Sequence, residues 1–249
     1  MQVAVLRTLL FCSLAWGCSD VYVGSDVLWS AQHETGDLSE WSAQGAGTSE
    51  VEDGDGSISV SDAFAHGGRY GVRLEKVVTR STAAGAGPRL IRFGDLPKRA
   101  VYSAWFLLPR IHRTSSYWTF MQWDSAAASS PVEDRGVNLQ LRSLPDQNGL
   151  VLQVFFHTPA YLAAPIAYPT PLVPIGRWFN VTVDFEAATD TAGRVTVWLD
   201  GQPIYDLAGR PTIDPESLEF LITNMMVDVE PSPVELYVDD VVISKARAR

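Results

Sequence analysis

A chain of 249 residues has room for one large β domain or two small ones, and 46% hydrophobic against 19% charged residues lets it bury a sizeable core. That composition argues against global disorder, and a formal net charge of −10 argues against nucleic acid as a partner, since so acidic a chain repels a phosphate backbone. The same sign disfavours strongly anionic glycans unless basic residues gather locally.

Residues 1–17 read as a targeting segment. Arg7 supplies a positive charge, and Leu9 to Trp16 is an uncharged apolar run too short to span a bilayer. Ala15-Trp16-Gly17-Cys18 resembles a bacterial lipobox, which implies lipidation of Cys18 as the first residue of the mature chain. Ser19 after it implies sorting to the outer membrane, by resemblance to the known rule; ordinary secretion is the alternative. The membrane is then met through the lipid anchor only. The two cysteines are Cys12 and Cys18, and Cys12 is lost with the leader. A mature chain without a thiol pair has no disulfide framework, cysteine metal site or cysteine nucleophile.

Residues 18–28 read as a tether, 29–245 as one domain and 246–249 as a frayed tail. Strand-like runs recur at Ser57–Val60, Tyr70–Val77, Val101–Leu107, Tyr117–Trp123, Val137–Arg142, Leu150–His157, Trp178–Glu186, Arg194–Asp200, Leu218–Thr223 and Leu236–Ser244. Gly, Pro, Asn or Asp clusters separate them, and no window sustains a 3.6-residue period. Pro159–Pro174 predicts a long irregular loop. The clearest alternation is Phe179, Val181, Val183 and Phe185 against Asn180, Thr182, Asp184 and Glu186, followed by Val195, Val197 and Leu199 and an Asp200-Gly201 turn. The expectation is an all-β, single antiparallel β-sandwich, probed by the absence of strong helical minima in circular dichroism.

The stretch GRWFNVTVDFE…GRVTVWLDG at 176–201 resembles the back-sheet hairpin of concanavalin A-like jelly rolls. HETGDLSEW at His33–Trp41, HGGRYGVRL at His66–Leu74 and LYVDDVVIS at Leu236–Ser244 resemble the opening, second and closing strands of carbohydrate-active sandwiches. YSAWFLLP at Tyr102–Pro109 and WTFMQWDS at Trp118–Ser125 resemble middle strands of the heparin-lyase-like group. The resemblance implies a jelly roll that takes a polysaccharide or oligosaccharide, as a monomer. A polysaccharide lyase of the same fold and a scaffold that binds protein partners are the alternatives.

Strand parity selects a face. Asn138, Gln140 and Arg142 oppose an apolar side of Val137, Leu139 and Leu141; Gln153, Phe155 and His157 oppose Leu152, Val154 and Phe156. Trp118, Phe120, Gln122 and Asp124 are expected on one side of their strand. If these strands are neighbours, Gln122, Asp124, Asn138, Gln140, Arg142, Gln153 and His157, with Trp118, form a glycan-binding face, against the alternative of a plain solvated sheet. By the same resemblance Gln122 corresponds to a lyase's carboxylate neutraliser, with His157 as base and Tyr161 or Tyr168 as acid; the family's Gln-x-His spacing is broken by Asp124. Glycoside hydrolysis needs two carboxyl groups across the scissile bond, and the sandwich-glucanase strand that carries them is missing. In the closing strand Asp240 shares parity with Leu236, Val238 and Val242, and an inward carboxylate needs a partner or a cation. The resemblance implies a structural Ca²⁺ between Asp240 and Glu34; a hydrogen-bonded Asp at the sheet end is the alternative.

Overall fold

The hairpin of residues 179–199 forms as its alternation dictates. Phe179, Val181, Val183, Phe185, Val195 and Val197 are fully buried, and the polar residues between them take the other face. Asp200 and Gly201 both adopt positive φ, 47° and 78°, the mirror-image turn whose twist matches that of its strands. Asp200 pins the register: its backbone N donates to Asn180 O at 2.9 Å, and its Oδ1 accepts from Asn180 N at 2.8 Å.

The computed structural model describes residues 26–43, 48–51, 56–78, 87–125, 136–144, 149–157, 162–166 and 170–247. Cys12, Cys18, Tyr161 and Tyr168 lie outside them, so the leader, the lipidation site and the two loop tyrosines are not placed. No helix among the described residues is long and apolar enough to cross a membrane. In chain order the strands are β1 (Val27–Ala31), β2 (Thr48–Val51), β3 (Gly56–Ser61), β4 (Gly71–Lys76), β5 (Arg89–Phe93), β6 (Arg99–Leu107), β7 (Arg113–Thr114), β8 (Trp118–Ser125), β9 (Gly136–Ser143), β10 (Leu150–His157), β11 (Leu162–Ala163), β12 (Phe179–Glu186), β13 (Arg194–Leu199), β14 (Gln202–Ala208), β15 (Leu218–Met226), β16 (Val229–Glu230) and β17 (Val234–Ser244). Helix among the described residues is limited to Ser39–Ala43 and a 3₁₀ turn at Pro215–Ser217.

Two antiparallel sheets pack face to face. One runs β14-β13-β12-β6-β17-β4-β3, with β1 also paired to β17; the other runs β11-β10-β9-β8-β15-β5-β2. This is an all-β antiparallel sandwich of jelly-roll type. Alternate residues of both sheets fill the space between them. Trp123 of β8 stacks on Phe185 of β12 at 4.8 Å and 6°, Tyr102 meets Trp123 edge-on at 5.3 Å, and Phe106 meets Phe120 edge-on at 5.0 Å. Burial pushes the Tyr102 hydroxyl's pKa far above its ordinary value.

The ends of the chain are tied in more firmly than their composition predicts. Val27 already pairs with Ser244, so β1 begins inside the expected tether. Lys245 N donates to Asp26 O, and the Arg247 guanidinium packs over Trp198 at 4.6 Å. The expected frayed tail is therefore anchored as far as Arg247.

A bulge corrects the reading of the closing strand. Asp239 pairs with Trp105 and Val242 with Ser103, so two residues of β17 stand against one of β6, and Asp240 takes φ 47°. Parity flips there: Val241 and Ile243, not Val242, continue the inward row of Leu236 and Val238. Asp240 is consequently not the inward carboxylate. It is part-exposed and meets His66 Nδ1 at 2.7 Å, whereas its neighbour Asp239 is fully buried. Asp239 Oδ2 accepts from the backbone N–H groups of His66 at 2.9 Å and Gly67 at 3.3 Å. The same loop continues to Glu34, whose Oε1 accepts from Arg69 N at 2.9 Å and Tyr70 N at 3.0 Å. Gly68 makes this possible: it has φ 59°, and a Cβ there would collide with the Glu34 carboxyl.

Candidate functional site

The outer face of the seven-stranded sheet carries the polar row. Cross-strand pairing sets Asn138 opposite Phe155, Gln140 opposite Gln153 and Gly136 opposite His157. On the other side of β9, Gln122 stands opposite Asn138. Parity therefore brings Gln122, Asp124, Asn138, Gln140, Arg142, Gln153 and His157 to one face, as expected, because β9 and β10 run without a bulge. A cavity of 420 Å³ opens over this face, lined by Asn138, Gln140, Arg142, Gln153, Phe155 and His157 together with Ser116, Tyr117, Ala163 and Met225. The seven residues of β9 from Gly136 to Arg142 span about 20 Å at the usual strand rise.

Trp118 does not belong to this face. Thr119 pairs with Gln140 and Met121 with Leu139, so β8 carries an extra residue at Phe120. Trp118 and Phe120 point into the core while Gln122 and Asp124 point out. Trp118 is fully buried, and its Nε1 donates to Asn224 Oδ1 at 2.8 Å. The same bulge turns Tyr117 toward the cavity, whereas unbroken alternation from Gln122 puts it on the core side. Met225 was missed as well, because the sequence gives no sign that β15 reaches the cavity.

Hydrogen bonds fix several of these side chains. Asn138 Nδ2 and His157 Nε2 lie 2.8 Å apart. With the amide nitrogen assigned as donor, Nε2 accepts and the neutral ring carries its proton on Nδ1. Asn138 is 1% exposed, and its Oδ1 has no partner among the described residues. Gln153 Nε2 donates to Ala164 O at 3.0 Å. Arg142 Nη1 donates to Ser116 O. Gln122 Nε2 donates to Asp124 Oδ2 at 2.7 Å. Gly136 separates Asp124 from His157; a Cβ there would stand 3.4 Å from Asp124 Oδ1 and 3.7 Å from His157 Cβ.

Chemically, the face offers planar amides, a guanidinium, an imidazole and aromatic rings around one concavity. Amides donate and accept at once, which matches sugar hydroxyls, and Arg pairs bidentately with a carboxylate. Among the described residues no group of three or more His, Cys, Asp or Glu side chains gathers where it would hold a metal.

No family model matches the chain, and no curated protein matches it. Solved structures do. An endo-β-1,4-glucuronan lyase from the fungus Trichoderma reesei superposes with TM-score 0.65 at 14% identity, over 88% of this chain and 96% of that one. A variant of alginate lyase Aly36B in complex with alginate trisaccharide gives TM-score 0.65 at 11% identity, over 88% and 98%. Domain 4 of AbnA, an extracellular arabinanase from Geobacillus stearothermophilus in complex with arabinotriose, gives 0.54 at 14%, over 90% and 94%. The likeness establishes the antiparallel β jelly-roll fold.

Proposed function

We propose that this protein binds a polysaccharide along the outer face of the seven-stranded sheet. One observation carries the reading: two bulge-free neighbouring strands set Asn138, Gln140, Arg142, Gln153 and His157 around a single 420 Å³ cavity. A merely solvated face would favour Lys and Glu over buried amides. The structural neighbours named for glucuronan, alginate and arabinan supply the substrate class by analogy of fold.

β-Elimination is the second reading, favoured by the 2.8 Å contact between Asn138 and His157. In that reaction a base removes the C5 proton of a uronate, a C4=C5 double bond forms, and the C4–O bond breaks as the leaving oxygen takes a proton. His157 Nε2 would exchange the Asn138 amide for the C5 proton. Asn138 and Arg142 would hold the carboxylate, with Gln122 beside them, and Tyr117 would stand in the groove as proton donor. In this reading Tyr117 takes the acid's role for which the sequence offers Tyr161 or Tyr168, both outside the described residues.

A broad glycan array, read by binding and by the ultraviolet absorbance of the unsaturated product, separates these readings. The parent is expected to bind at least one polymer without producing that absorbance. Product that appears with the parent and disappears in His157→Ala moves the conclusion to a lyase. No glycan bound or cleaved leaves a protein-binding scaffold.

A structural Ca²⁺ at Glu34 and Asp240 is a separate proposal. The two carboxylates flank the 66–70 loop, but both already accept hydrogen bonds: Glu34 from backbone N–H groups, Asp240 from His66. Ion binding to the native state raises the melting temperature by mass action. Adding Ca²⁺ to chelator-treated protein is expected to raise it, with the rise lost in Glu34→Gln. An unmoved melting temperature means those donors are the carboxylates' working partners.

A further inference from the structure

The groove is not electrically uniform. Arg142 is the one arginine or lysine among its described lining residues, and it stands at one end of β9. The middle is amide, and two of these amides have their nitrogens engaged, Asn138 with His157 and Gln153 with Ala164 O. Asn138 Oδ1 is buried with no partner among the described residues. An amide oxygen accepts from a hydroxyl and repels a carboxylate.

Past the His157 end of the cavity lining the same face turns acidic. Asp124 and Glu219 are direct cross-strand partners on β8 and β15. They share the outer face, with Asp124 next to His157 across the bare backbone of Gly136. Burial, and after it the charge of Asp124, raises the Glu219 pKa above its ordinary carboxylate value, with Arg89 opposing. A further anion brought to this end meets like charge at short range.

We infer that the groove selects a glycan in which a uronate is flanked by neutral sugars, with the carboxylate at Arg142 and a neutral, hydroxyl-bearing residue at Asp124 and Glu219. This deepens the polysaccharide-binding reading and rests on it. A carboxylate on every ring would satisfy Arg142 once and then set anions against the two acids. Ionised carboxylates at the acidic end accept from hydroxyls, in charge-assisted bonds stronger than amide ones.

The test uses calorimetric titration of the full chain with three tetrasaccharides. One carries a carboxylate on every ring; the second is the same chain after reduction of its carboxyl groups; the third has one uronate among neutral sugars. The mixed tetrasaccharide is expected to bind about tenfold more tightly than either of the others, since one ion pair is gained and no like-charge contact is made. Glu219→Gln, close in size, is expected to narrow the gap between the fully charged and the mixed ligand by about threefold or more. Equal or tighter binding of the fully charged ligand, with Glu219→Gln leaving the ratio unmoved, overturns the inference while polysaccharide binding stands. If none of the three binds the parent, the binding reading fails and takes the inference with it.

Discussion

Arg142→Ala is expected to weaken glycan binding at least tenfold and leave the fold intact. A hydrogen bond from a guanidinium to a sugar carboxylate is charge-assisted and worth ~1.5–3 kcal/mol. Each ~1.4 kcal/mol is a factor of ten in affinity, so the loss falls between roughly tenfold and a hundredfold. The side chain is half-buried at the end of β9, and its one structural bond in the described residues goes to Ser116 O. Removing it deletes no core contact, so a circular dichroism melt should show little change. Arg142→Lys separates charge from geometry: the ammonium keeps the charge and loses the planar fork. Recovery of only part of the affinity by lysine is the expected outcome. Parent-like binding by the alanine variant would mean that ligand does not touch this face.

Trp123→Ala should have the largest effect on stability. Its ring is fully buried and stacked on Phe185 at 4.8 Å, so it ties the seven-stranded sheet to the eight-stranded one. Tyr102 and Phe220 complete the cluster, at 5.3 and 5.7 Å from the indole. Truncating a buried Trp costs about 3–5 kcal/mol, the transfer term plus the cavity left behind. For a chain of this size that lowers the melting temperature by roughly 6–20 °C. A shift of one or two degrees in a thermal melt would show that the two sheets close over the gap. The contrast with Arg142 is informative: one substitution should lose ligand and keep the fold, the other should weaken the fold.

Alternation read the sheet well wherever strands ran straight. Asn138, Gln140, Arg142, Gln153 and His157 came together because β9 and β10 keep register for eight consecutive pairs. It failed at two bulges, and each failure has the same cause. An extra residue at Phe120 moved Trp118 to the core, and an extra residue at Asp240 took that carboxylate out of the inward row, while Asp239, on the row of Tyr237, is buried against the His66–Gly67 backbone. Nothing in the residue types at either place marks a bulge; Asp240 at positive φ is tolerated there because a short polar side chain accepts that conformation. The Asp124–Glu219 pair was also illegible. It depends on β15 lying next to β8, a neighbour relation between segments 95 positions apart that no local pattern encodes.

The last of the described strands is also a central one. β17 pairs with β6 on one side and β4 on the other, and β1 joins it too. A chain that leaves its site of synthesis N-terminus first therefore carries two open sheet edges until residue 234 and beyond have emerged. Unpaired edges are templates for wrong partners, and pairings between distant segments form slowly. The order of events is thus set by topology: the larger sheet can close only after β17 has emerged, and any truncation before β17 leaves its two halves unjoined.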